Sequence, residues 1–484
     1  MSNPSLCIVK YINDPVYGGI PVTQLELELI SLPVFQRLRG LRQLARVNYV
    51  FPGAEHSRFV HSLGVLYIMG LMTDHLLKRS EITESDAIKL RVAALLHDIG
   101  HYPLSHLGES VYGYLKDNSS AIQIIDGISD EDSTTPLYEL SSSHSKSAHH
   151  EQLGKFIVIN HTGIVKILTE YKLNPQEISE IFTGEIGARN MLYTQLLHSS
   201  LDADRLDYLL RDSYQTGVKY GLVDLQYLIR LLMVKEDSSL TENKKVLVCN
   251  KKGQHVVEHF LMSRYFNYSQ VIFHKTNVAF EGLIKTMYIK LLKEKKFIYN
   301  SLEEIQTNVN SDSFLSFNDA SLEVAFKDHF ESTADEDYKA LYQMYIGRVR
   351  PKVVFEIKDL YEESPTSEFS ILKWELKRSP EKIGKIIGSN RWGYQIAPID
   401  IEKIHSHYTL TEGSQGHDED LREAVKLFDT DNQKISYLAE DNLSIISRLS
   451  NFKSECIRVF ILDDKISSES HSEIRKKIKG LIQT

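Results

Sequence analysis

Ten residues, His97-Asp98-Ile99-Gly100-His101-Tyr102-Pro103-Leu104-Ser105-His106, follow directly on the apolar run 92–96 and constrain this chain more than any other stretch. The run reads as the buried face of a helix, so the polar cluster is delivered toward the interior. Histidine and aspartate are costly to bury unless they ligate, pair or hydrogen-bond. Neutral imidazole with carboxylate is a common ligand set for a divalent metal in a hydrolytic site. Chemistry is therefore the leading explanation of the cluster.

The flanking sequence supplies partners. Thr83-Glu84-Ser85-Asp86 forms an N-cap with acidic first-turn residues, which suits the positive end of a helix; Gly100 is expected to end that helix. His61 stands at the entrance of a second apolar helix, and Asp202-Ala203-Asp204-Arg205-Leu206-Asp207-Tyr208 opens a third. A helical bundle builds a buried metal site from such facing side chains. His61, the His97-Asp98 pair and Asp204 could together hold one metal. Four protein ligands leave room for water or a phosphate oxygen on Mn, Fe or Mg, whereas zinc more often closes as a tetrahedron.

Elsewhere, residues 6–23 read as a hairpin around Asn13-Asp14-Pro15. Phe35, Leu38, Leu41 and Leu44 recur at helical spacing and predict a basic amphipathic helix over 33–44, its arginines on the other faces. The stretch 118–148, rich in Ser, Asp and Thr, predicts an insert, and 413–420 a loop. Residues 244–257 read as strand, Lys-Lys-Gly turn and strand. Beyond about 330 strands at 352–357 and 456–462 alternate with helices such as 381–387.

With 484 residues the chain is too long for one small core; the expectation is a core over 1–330 and a smaller α+β region over 331–484. The net charge of −9 argues against a dominant, sequence-independent grip on nucleic acid, although a local basic groove for a single strand stays open. Three distant cysteines, Cys7, Cys249 and Cys456, suggest neither a disulfide framework nor a cysteine zinc site. Without a leader-like N-terminus or an uninterrupted apolar run of spanning length, a cytoplasmic protein with no membrane partner is expected.

Six ordered strings carry a resemblance: Asp14-Pro15-Val16-Tyr17-Gly18, Phe35-Gln36-Arg37-Leu38-Arg39, Arg58-Phe59-Val60-His61-Ser62-Leu63-Gly64-Val65, His97-Asp98-Ile99-Gly100-His101, His150-Glu151-Gln152 and Asp202 to Tyr208. Together they resemble the HD-domain deoxynucleoside triphosphate triphosphohydrolases over roughly 8–290. The resemblance implies a mainly α protein, an HD-domain helical bundle with short β-hairpins and a smaller C-terminal α+β region. It implies that His61, His97, Asp98 and Asp204 hold the metal, and that Arg58, Arg205, Tyr208 and Arg264 bind the triphosphate. His101, His106, His150 and Glu151 would line the reacting end, with His106 as general acid, and Gln43, Leu44 and Asp212 would touch sugar and base. Water would attack the α-phosphorus, releasing deoxynucleoside and intact inorganic triphosphate.

Lys10, Asn13, Gln36 and Arg39 match positions of an activating nucleotide site, and the resemblance extends to a homo-oligomer, tetramer or dimer. Ile272 stands where family members often place tyrosine, and Ser31 where a guanine-activated relative has aspartate. Two rivals stay open: an HD phosphohydrolase of another nucleotide (a monophosphate, cyclic dinucleotide or alarmone), and a non-catalytic nucleotide sensor.

Overall fold

The computed structural model describes residues 5–117, 138–140, 149–188, 190–237, 245–362, 364–389, 391–398, 424–449, 452–463 and 467–482. The expected insert at 118–148, apart from 138–140, and the expected loop at 413–420 lie outside them. The described chain is mainly α, with three small sheets. Elements used below are numbered in chain order.

Strands β1 (Ile8–Asp14) and β2 (Gly18–Thr23) form the antiparallel hairpin. Asp14 shapes its turn by accepting from the backbone N–H groups of Val16 at 2.9 Å and Tyr17 at 3.0 Å. The strand end Thr23 doubles as N-cap of α1 (Gln24–Ser31), in a capping box with Glu26.

The predicted helix over 33–44 is broken. Pro33–Gln36 makes one α-turn, Arg37–Gly40 continues as a 3₁₀ turn, and Leu41 is extended. Tertiary demand overrides the periodicity: Arg37 is buried and donates to the carbonyls of Ile99 (2.7 Å), His101 (3.1 Å) and Phe317 (2.9 Å). An arginine expected on a solvated face thus fixes the backbone of the His97–His106 segment.

Helices α2 (Arg58–Lys78) and α3 (Glu84–Leu96) pack side by side at the centre of the main core. By length and composition α2 could cross a membrane, but 67% of its apolar window is buried inside the protein. Thr83 caps α3 in a box with Asp86: each backbone N–H donates to the other's side chain, at 3.2 and 2.8 Å. Helix α3 ends at Leu96, before Gly100, so the glycine's value lies elsewhere, as the site shows.

The helices around this pair are α4 (His106–Asp117), α5 (His150–Asn160), α6 (Pro175–Phe182), α7 (Met191–Leu197), α8 (Ala203–Thr216), α9 (Gln254–Asn267) and α10 (Lys275–Lys293). The second strand expected within 244–257 is instead the start of α9. Strand Lys245–Asn250 pairs antiparallel with Leu232–Glu236, and Asn250 accepts from the Lys252 N–H to begin the helical turn that runs into α9.

The main core extends past residue 330: Tyr338, Leu341, Met344 and Tyr345 of α11 (Glu336–Ile346) pack in it. Strand Lys453–Ile461 pairs antiparallel with Lys352–Tyr361 on one side and Trp392–Pro398 on the other. The helices Ser367–Arg378, Pro380–Ile387 and Ser468–Ile482 cover this sheet and close a separate small core. Residues 426–437 return to the larger unit, where Lys426–Asp429 pairs parallel with Lys245–Asn250.

Candidate active site

Three helices converge their polar ends at one point. His61 lies in the first turn of α2, His97-Asp98 at the end of α3, and Asp204 in the first turn of α8. Asp204 Oδ1 is 3.0 Å from His61 Nε2 and 3.7 Å from His97 Nε2; Asp98 Oδ1 is 3.3 Å from His97 Nε2, and Asp98 Oδ2 is 3.6 Å from His61 Nε2. Although both Nε2 atoms are buried, neither has a well-formed hydrogen bond. Each Nδ1–H is occupied: that of His97 donates to the Ala94 carbonyl at 2.8 Å, and that of His61 to Asp207 Oδ2 at 2.8 Å. This leaves the Nε2 lone pairs aimed at the carboxylates, the orientation of metal-ligating histidines.

The electrostatics agree. Burial opposes a charge on His61, but Asp204, Asp207 and Asp98 overcome it and raise the imidazole to about 10. The point between these side chains is built for positive charge, which a divalent cation supplies as well as a proton does. Burial likewise opposes the Asp98 carboxylate, yet Arg58, His97 and His101 hold it well below the usual carboxylate range. The residues present fit a divalent metal.

Asp207 belongs to a buried chain of charge. It accepts from Arg211 Nε (2.9 Å) and Nη2 (3.0 Å) and from the Tyr17 hydroxyl (2.7 Å), while Arg211 Nη1 donates to Asp14 at 2.7 Å. The hairpin turn is thereby tied to His61. Gly64, one helical turn on from His61, passes this network so closely that an added Cβ would lie 1.9 Å from Asp207 Oδ1.

A second cluster adjoins the first. The His101 ring stacks on His150 with centroids 3.9 Å apart, and the buried Glu109 Oε2 lies 2.9 Å from His150 Nδ1 and 3.4 Å from His106 Nδ1. Burial works against the Glu109 charge, but His150 and His106 hold its carboxyl far below the usual range. His101 is kept neutral by burial, with Arg58 and His150 adding to the effect. Gly100 makes the stack attainable: an added Cβ would fall 2.2 Å from both the Gly154 nitrogen and the His150 carbonyl oxygen. Gly100→Ala is expected to push α5 away and cost about 1–3 kcal/mol. Thermal unfolding reads it, and an unchanged midpoint would mean that α5 is free to shift.

Both clusters open on a cavity of about 470 Å³. Its wall includes His97, Asp98 and Asp204, then His101, His106, His150 and Glu151, then Arg58, Arg205, Tyr208 and Arg264, and finally Gln43, Leu44 and Asp212. His61 sits behind the wall, and Ile272 borders it. Each guanidinium nitrogen of Arg58 donates in this arrangement, to Asp98 (2.8 Å), Ser105 Oγ (3.0 Å) and the Gln43 carbonyl (3.3 Å), which leaves one N–H on each terminal nitrogen. Arg205 is braced on Asp202, the N-cap of α8, at 2.5 Å. Lys10 and Asn13 lie apart, exposed on β1; Gln36 and Arg39 bond each other at 2.7 Å, and Arg39 covers the Phe59 ring.

Four site residues were not singled out from the sequence. Glu109 follows His106 by three positions and Asp207 follows Asp204 by three, so same-face spacing on a helix could have flagged both. His56, 2.9 Å from Asp212, and His198, 3.0 Å from Glu151, had no local signal.

The HD domain family model matches residues 58–211, the span that holds all four converging residues. The chain is 33% identical over 285 residues to the uncharacterized protein YwfO of Bacillus subtilis, covering 58% of this chain and 56% of that one. It is 26% identical over 393 residues to the human deoxynucleoside triphosphate triphosphohydrolase SAMHD1, covering 74% of this chain and 58% of that one. The chain thus spans a little over half the length of these curated relatives. A crystal structure of a phosphohydrolase from Bacteroides thetaiotaomicron superimposes with a TM-score of 0.60 at 23% identity, covering 93% of this chain and 99% of that one, which shows the shared fold. Residues 58–211 thus match the HD domain, and the chain around them is similar to a deoxynucleoside triphosphate triphosphohydrolase over part of that protein's length.

Proposed function

We propose that the protein is a metal-dependent hydrolase of deoxynucleoside triphosphates that releases deoxynucleoside and intact inorganic triphosphate. The observation that carries this reading is the cavity of about 470 Å³. Its wall includes His97, Asp98 and Asp204, with His61 behind them, together with His101, His106, His150 and the Arg205, Tyr208 and Arg264 side chains, and this supports the reading.

His61, His97, Asp98 and Asp204 would hold the metal, manganese, iron or magnesium, which when bound supplies Lewis acidity to a phosphoryl oxygen and lowers the pKa of water. Arg58 and Asp207 orient Asp98 and His61 for that task. Arg205 and Arg264 bind phosphoryl oxygens through planar guanidinium groups. Burial holds the Tyr208 hydroxyl well above its ordinary pKa, so it stays a phenol and a donor. Water attacks the α-phosphorus, the bond from phosphorus to the 5′ oxygen breaks, and that oxygen takes a proton. His106 would give the proton as the imidazolium, its Nδ1–H held by Glu109 and its Nε2–H turned to the leaving group; burial lowers its pKa and Glu109 opposes that. His106→Ala is expected to lower kcat about a hundredfold with metal content unchanged; near-normal turnover would remove this role.

An activating nucleotide and assembly into a homotetramer belong to the same reading, with Lys10, Asn13, Gln36 and Arg39 as the effector residues. Sedimentation with each dNTP tests it, and an unchanging monomer across the panel rejects it. For the reaction itself, the protein is incubated with Mn or Mg and each dNTP, singly and mixed, and nucleoside, monophosphate and triphosphate are resolved. Nucleoside with inorganic triphosphate is expected; monophosphate with pyrophosphate would overturn the assignment.

A further inference from the structure

His198 stands where several helices meet. It follows α7, and around it are Phe182 at the end of α6, Glu151 in the first turn of α5 and Asp202 at the N-cap of α8. Its Nε2 lies 2.6 Å from the Phe182 carbonyl oxygen and 3.0 Å from Glu151 Oε1. The Cγ–Cδ2 side of the ring faces Gly184, where an added Cβ would be 3.8 Å from both atoms. Two sides of the ring are therefore committed. The Nδ1–Cε1 edge is the one left over, and His198 joins the cavity wall with 28% of its side chain exposed.

The charge on this ring is defined by its neighbours. Burial opposes protonation, but the Glu151 carboxylate overcomes it and pushes His198 up to about 9, Asp202 assisting and Arg205 opposing. The pairing is mutual, since His198 and His149 hold Glu151 well below the usual carboxylate range against burial. At neutral pH both ring nitrogens carry protons. Phe182 and Glu151 take the one on Nε2, which leaves Nδ1–H as a charged donor on the edge of the ring away from Phe182, Glu151 and Gly184.

We propose that His198 is a phosphate-binding residue, its Nδ1–H bonding a non-bridging oxygen of a polyphosphate chain in the cavity beside Arg205. The inference rests on the reading of this cavity as a nucleotide polyphosphate site and deepens it. With Arg205 and Arg264, His198 gives the wall a further cation and favours a polyphosphate over a single phosphate, because a charged donor that is already oriented loses little freedom on binding. The Glu151 side chain acts through His198, as a positioning residue for this contact.

The test is calorimetric titration of inorganic tripolyphosphate into the magnesium-loaded protein near pH 7, in wild type and in His198→Gln. Glutamine keeps an N–H for the Phe182 carbonyl but brings neither the charge nor the second donor. The expected result is a Kd raised about tenfold, the loss of one charge-assisted hydrogen bond, in a variant that still unfolds cooperatively. Equal affinity in a folded variant, or no binding to the wild type, overturns the proposal. Should His198→Gln fail to fold, ¹⁵N spectra of the histidine rings in the wild type decide: tripolyphosphate shifts the His198 Nδ1 resonance if the contact forms, and an unmoved resonance overturns it. Tripolyphosphate bound through His198 by a protein that releases no nucleoside from any dNTP would leave this inference standing and overturn the substrate assignment.

Discussion

Asp204→Ala is expected to lower dNTP turnover a thousandfold or more and to strip metal from the protein, while leaving it folded. A metal acting as Lewis acid contributes several kcal/mol to the transition state, and each 1.36 kcal/mol is about tenfold in rate. Asp204 faces both imidazole Nε2 atoms from the third helix, at 3.0 and 3.7 Å, so its loss opens the cradle on that side. Its side chain is 34% exposed, and removing it leaves no buried charge without a partner, because His61 keeps Asp207. Metal per chain by atomic emission, read beside turnover, checks both halves. Ordinary metal content and ordinary turnover in the variant would place the metal elsewhere.

Asp207→Ala has the opposite profile, a large loss of stability together with a loosened metal. Asp207 is fully buried and holds His61, Arg211 and Tyr17 at once. Removing one partner of a buried pair costs about 3–5 kcal/mol, since the other charge stays buried; here Arg211 would keep only Asp14. The same change frees the His61 ring to rotate, and losing such a support lowers metal affinity about 10–100-fold. Urea unfolding of the metal-free protein isolates the first effect and competition with a chelating dye the second. An unfolding free energy within about 1 kcal/mol of the parent would contradict the account.

The convergence of His61, His97, Asp98 and Asp204 was approachable from the sequence because each lies at or beside the end of an expected helix, one of them begun by the Thr83 cap. The supports were less so. Arg37 looked like one arginine of a solvated helix, but its partners are backbone carbonyls, all three more than 60 residues away, and carbonyls leave no trace in a side-chain pattern. Glu109 and Asp207 were within reach of the three-residue spacing that places side chains on one helical face. His198 was not, because the carbonyl and carboxylate that orient it come from two other helices.

The same distinction holds for the fold. The hairpin, α2, α3 and the strands at 352–361 and 453–461 follow local periodicity. The return of 426–437 to the larger unit does not, because its parallel partner at 245–250 is remote in the chain and β pairing is non-local. The apparent strand after Gly253 was helical because α9 packs against α8 and continues the main core.

The measurement that tests the central claim most directly is hydrolysis of a dNTP in ¹⁸O-labelled water with mass analysis of both products. Attack of water on the α-phosphorus puts one ¹⁸O on a terminal phosphorus of inorganic triphosphate and none in the deoxynucleoside, and that is the predicted result. Label in the nucleoside, in orthophosphate or in a released monophosphate, or no turnover of any dNTP, would contradict it.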